Sequence, residues 1–150
     1  MENTNISRVK AQQLLVEIMY SFIMHENNDL PINFEDTISD ICKVPFEDCD
    51  FFIKIILLKA IKNQHKIVEY ISKYLKNWNF HRLNTTIQAI LIISVTEYYY
   101  KGEDILKAIV IDNAVTLAKI YGDGGEKDYK FVNGILDNCL DNGKQNLLLD

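Results

Sequence analysis

Apolar residues recur three and four positions apart along almost the whole chain, the spacing of one face of an α-helix. From residue 6 to 24, Val9, Leu14, Ile18 and Phe22 fall on one side and Ser7 stands where an N-cap belongs, which predicts a first helix. A polar loop from His25 to Pro31 follows, then a short helix over 34–42. Lys43-Val44-Pro45 ends it, because proline disfavours helical backbone in the residue before it. Residues 47–75 predict one long third helix, bent near Asn63. After a turn at 76–79, a fourth helix spans 80–99 with Leu83, Ile87, Ile90, Leu91 and Val95 inward. Asp104 is placed to cap a fifth helix over 105–121, and Gly122 to supply its left-handed C-terminal residue. A loop at 123–126 leads to a sixth helix at 128–140. No stretch alternates at period two, so the fold class is all-α.

Composition narrows the chemistry. A chain of 150 residues, 48% hydrophobic and 25% charged, suits one globular domain with a sizeable core. The longest apolar runs, 53–58 and 89–95, are too short to span a bilayer. The net charge of −5 argues against a general nucleic-acid binder, whose affinity comes largely from neutralising phosphates, yet leaves room for a local basic patch. Cys42, Cys49 and Cys139 are odd in number and match no metal spacing. With a polar start and no signal peptide, they read as free thiols in a reducing cytoplasm. His65 and Glu69 stand four apart on a helix but lack a third ligand. There is no phosphate-binding loop, and no Ser-His-Asp or Cys-His grouping stands out. These observations predict no enzymatic activity, no metal and no cofactor.

The richest stretch runs from Tyr129 to Asp137 and holds Phe131, Asn133 and Gly134 as a structural signature. A glycine inside a helix costs roughly 1 kcal/mol against alanine. Gly134 is therefore expected to admit a close neighbouring backbone, and Gly134→Leu to overpack it at a cost of about 1–3 kcal/mol. Asn133 is expected to satisfy a nearby helix end, and Phe131 to join the core. The string Phe131-Val132-Asn133-Gly134-Ile135-Leu136-Asp137 resembles a signature of the NusB family of transcription antitermination factors. Other segments agree in order: Ser7-Arg8-Val9-Lys10-Ala11 near the start, Trp78 with Arg82-Leu83, Ala89-Ile90-Leu91 closing on Glu97, and Asp112-Asn113-Ala114 through Tyr121-Gly122.

The resemblance implies a bacterial, cytoplasmic helical bundle of about six to seven helices in two packed subdomains. They divide at about 76/77, the second ends near 141, and 142–150 is a frayed tail. It implies a transcription antitermination factor that acts with a NusE-type small-subunit ribosomal protein and the transcription elongation complex. The RNA would be single-stranded and boxA-like, notably in ribosomal RNA transcription. The candidate RNA-binding residues are Arg8, Lys10, Gln12, Lys127 and Lys130; the family's second arginine falls on Gln12 here. The candidate protein-partner residues are Tyr20, Glu97 and Tyr98, since tyrosines are enriched at interfaces. The alternative is a protein-interaction adaptor of the same fold that has lost RNA binding, favoured by the net charge and by Gln12.

Overall fold

A computed structural model describes residues 6–100, 104–121, 126–141, 144 and 146–150, with the side chains of 126 and 127 excepted. Among these residues there are seven α-helices and no strand: α1 Arg8–Asn27, α2 Phe34–Cys42, α3 Phe51–Lys62, α4 Gln64–Ser72, α5 Thr85–Tyr99, α6 Lys107–Tyr121 and α7 Glu126–Cys139. No helix is long and apolar enough to cross a membrane.

Helix starts follow short polar side chains that accept backbone N–H groups. Ser7 Oγ accepts from Lys10 N, Asn33 caps α2, Asp50 Oδ1 takes the N–H groups of Phe52 and Ile53, and Asn84 Oδ1 takes that of Thr86. The expected long third helix is two. The chain leaves helical geometry at Asn63 (φ −110°, ψ 14°), whose side chain donates to the Lys59 carbonyl and so competes with the helical ladder. The fourth helix begins later than expected. Residues Phe80–Arg82 form a separate 3₁₀ turn, and Asn84 starts α5. Gly122, expected to close α6, lies outside the described residues.

Helix α5 is the axis of the molecule. Every residue from 87 to 99 is buried, because its sequence is apolar on all sides. Helices α1, α3, α4, α6 and α7 all pack against it. At its C-terminal end the hydroxyls of Tyr70 and Tyr99 lie 3.0 Å apart and converge on the Cys139 carbonyl, while Asp141 N donates to Tyr99 Oη at 2.9 Å. Burial raises the pKa of both tyrosines, so they stay protonated at neutral pH. The three thiols are free. Burial pushes Cys42 and Cys139 up to about 12.

Two expectations are corrected here. Within the stretch expected to fray, residues 147–150 pack on the fold instead: Leu147 is buried and Asp150 N donates to Asn63 Oδ1 at 2.9 Å. Gly134 is exposed, and a Cβ built on it would meet nothing within 4 Å. It therefore admits no close neighbour, and the same holds for the expected overpacking by leucine. Neighbouring Asn133 is exposed too. The expected outcome for Gly134→Ala is unchanged or higher stability, by up to about 1 kcal/mol, from restored helix propensity. Urea denaturation checks this, and a loss of stability would reveal a contact that the geometry lacks.

Candidate nucleic-acid interface

The N-terminal candidates meet at a buried carboxylate. Arg8 and Gln12 are four residues apart, hence on one face of α1. Arg8 Nη1 lies 3.1 Å from Glu97 Oε2, and Gln12 Nε2 donates to Glu97 Oε1 at 2.9 Å. The Arg8 guanidinium also sits 3.9 Å from the Phe52 ring centroid, a cation–π contact. Glu97 is 2% exposed and Gln12 3%. A buried carboxylate is tolerated only when its oxygens are paired in this way.

The geometry corrects three site expectations. Gln12 spends its amide on Glu97 and presents no donor to solvent. Glu97 faces inward and offers a partner protein no surface. Tyr98 is buried as well, its hydroxyl donating to the Asp141 carbonyl at 2.6 Å. Arg8 remains 44% exposed at its side chain while it holds Glu97. Lys10 is exposed but lies about 200° further around the helix, so the two cations face different ways. Lys130 is exposed on α7, and the Lys127 side chain lies outside the described residues.

A second site forms around the N-terminal end of α5. Asn79 Oδ1 takes the His81 N–H at 2.9 Å and shapes the 3₁₀ turn that carries Arg82. Trp78, Arg82, Asn84, Ile87, Asp128 and Phe131 line an open cleft of about 300 Å³. Trp78 is 62% exposed, and its ring meets Phe131 edge-on at 6.2 Å between centroids. Phe131, expected in the core, is only half-buried and forms a wall of this cleft. Sequence reasoning used Trp78 and Arg82 only as motif positions. The available signal was a lone tryptophan in a polar turn, where no helical face exists to bury it.

Close by, Tyr20 is 40% exposed and lines a shallow cleft of about 220 Å³ with Val16, Glu17, Thr86 and Tyr121. Thr86 and Ile87 are consecutive, so the two clefts flank one end of α5. Glu97 lies about ten residues away, or ~15 Å along the helix. Arg8 therefore lies at one end of α5 and Arg82 at the other.

Among the described residues, no group of three or more His, Cys, Asp or Glu side chains is placed to hold a metal ion. Two of the three thiols are held protonated by burial far above neutral pH, unlike a nucleophilic cysteine.

Comparison with known proteins bears on this geometry. Residues 9–141 match the model of the NusB family. A transcription antitermination protein NusB from Methylacidiphilum infernorum is 33% identical over 144 residues, covering 93% of this chain and 95% of that protein. One from Clostridium botulinum is 35% identical over 142 residues, covering 92% and 98%. Among solved structures, T. maritima NusB superposes with a TM-score of 0.76 at 24% identity, covering 96% of this chain and all of that one. A chain in the crystal structure of a plectonemic RNA supercoil superposes at 0.70 and 22% identity, covering 89% and 94%.

Glu97→Ala tests the buried cluster. It removes the partner of Arg8 and strands the Gln12 amide inside, so the expected loss is about 2–4 kcal/mol. Urea denaturation measures it, and a loss below about 0.5 kcal/mol would mean that the cluster does not hold α1 to α5.

Proposed function

The chain belongs to the NusB family of transcription antitermination factors, which are not enzymes, and on that premise we propose how it works: it binds boxA-like single-stranded RNA together with a NusE-type ribosomal protein, notably during ribosomal RNA transcription. The observation that carries this reading is the cleft of Trp78 and Phe131 beside Arg82. Single-stranded RNA is recognised by stacking its splayed bases on aromatic rings while cations meet the phosphates. An exposed indole, a half-buried phenyl ring and a guanidinium supply both elements. Asp128 in the same cleft disfavours phosphate at its own edge and directs the backbone towards Arg82.

At the other end of α5, Arg8 and Lys10 stand in the first turn of α1. That turn has no acidic residue, and its backbone N–H groups favour anions. The ribosomal protein is assigned to the Tyr20 cleft, because Glu97 and Tyr98 are buried. A partner seated there would lie beside the aromatic cleft and could extend its RNA surface. Few cations serve either patch, so the chain alone should bind weakly and show a shallow salt slope, each phosphate contact adding about 0.7 to that slope.

Trp78→Ala is expected to weaken boxA-like RNA binding by about 1–3 kcal/mol, with little change in melting temperature because the indole is mostly exposed. Fluorescence anisotropy with labelled RNA, with and without the ribosomal protein, measures the effect. Wild-type affinity in the mutant would remove RNA from the cleft. If the wild-type chain binds no RNA under either condition, a protein-only adaptor becomes the better reading.

A further inference from the structure

The net charge of −5 conceals a strong segregation. Between Phe51 and Leu83 the chain carries six lysines and one arginine against a single acid, Glu69, a formal +6, which leaves −11 for the rest. Those residues are helices α3 and α4 and the turn leading to Trp78. Lys62, Lys66, Lys73 and Lys76 are exposed, and α4 packs against the 3₁₀ turn that carries Arg82. The basic stretch therefore runs on, in chain and in space, from the aromatic cleft.

A second observation marks this face as a place where ammonium groups already collect oxygen acceptors. Residues 147–150 lie across it without regular secondary structure. Lys59 Nζ donates to the main-chain oxygen of Asp150 at 2.8 Å, and Lys66 Nζ donates to that of Leu148. Lys66 and Lys73 line a cavity of about 410 Å³ with Glu69, Tyr70, Asn146, Leu147 and Leu148, and the two lysines outnumber its one carboxylate. The segment is held by buried Leu147, half-buried Leu149 and the Asp150–Asn63 bond, while Leu148 is 58% exposed. The Leu148 acceptor is a neutral carbonyl, so a phosphate oxygen, which is charged, makes a stronger partner for Lys66.

We propose that the α3–α4 lysine face is a second RNA-backbone track continuing from the Trp78 cleft, and that residues 146–150 are a displaceable cover over it. This rests on the RNA-binding reading above. Lysine suits the role because it meets phosphate as a point charge and needs no fixed geometry. RNA long enough to pass beyond the cleft exchanges the Leu148 carbonyl on Lys66 for phosphate and lifts the cover.

Two labelled RNAs test the track: a short boxA-like oligonucleotide and the same oligonucleotide extended by a uridine tract at either end. Wild type is expected to bind the extended RNA more tightly. Lys62→Gln, Lys66→Gln and Lys73→Gln together should abolish that gain, weaken extended-RNA binding about tenfold, and flatten its salt slope by about 2 for three phosphate contacts. Short-RNA binding should stay within about twofold, since the cleft is intact. Leu147→Ser, which removes the apolar anchor without adding charge, should free the cover and tighten extended-RNA binding. Circular dichroism confirms that each variant is folded. If the triple variant keeps the length-dependent gain and the slope, no track exists, while sensitivity to Trp78→Ala would leave the cleft reading standing. Unchanged extended-RNA affinity in a folded Leu147→Ser variant would overturn the cover. No binding of either RNA by wild type would overturn the track together with the reading beneath it.

Discussion

Helix α5 has no solvent face between residues 87 and 99, and the rest of the molecule is arranged to satisfy that constraint. An apolar helix of this kind must be covered on all sides, which calls for helices from both halves of the chain. Burying Ile90, Leu91 and Ile92 alone stabilises the fold by roughly 1.5–3 kcal/mol each. The same envelopment makes every polar side chain along the helix a problem needing a local answer. Gln88 donates to the Leu83 carbonyl, Thr96 donates to the Ile92 carbonyl, and Glu97 draws in Arg8 and Gln12. Gln12 is a neutral donor, and with Arg8 it satisfies the carboxylate at both oxygens.

Enclosure of α5 also decides where function can sit. A helix without a free side exposes binding groups only near its ends, through the elements that flank it. One end holds Arg8, half engaged by Glu97 and half open to solvent. The other holds the aromatic cleft and the Tyr20 cleft, on adjacent sides of Thr86 and Ile87. The overall negative charge obscures this division, because the stretch from Phe51 to Leu83 carries six lysines and one arginine against one acid, while acids outnumber cations in the rest.

Much of the fold was legible in the sequence because helical periodicity survives in each separate helix. The bounds of α2 at Phe34 and Cys42 and the Ser7 cap needed only local chemistry. The break at Asn63 was legible as a bend but not as a full interruption, since its cause includes a side-chain bond to Lys59 and a contact from Asp150, 87 residues away. Gly134 misled because a helical glycine has two explanations, close packing or none, and only the surroundings distinguish them. Gln12, Glu97 and Tyr98 misled for a related reason: polar residues usually face water, and nothing local reveals a buried partner on another helix. The role of Trp78 depended on Phe131, which folding brings to it from 53 positions away.

Trp78 is the only tryptophan in the chain, so its fluorescence reports on the cleft alone. Titrating boxA-like single-stranded RNA while recording that emission, with anisotropy of the labelled RNA followed in parallel, tests the proposed RNA role most directly. Base stacking in the cleft predicts saturable quenching that follows the anisotropy curve. RNA that binds by anisotropy and leaves the tryptophan emission unchanged would contradict it.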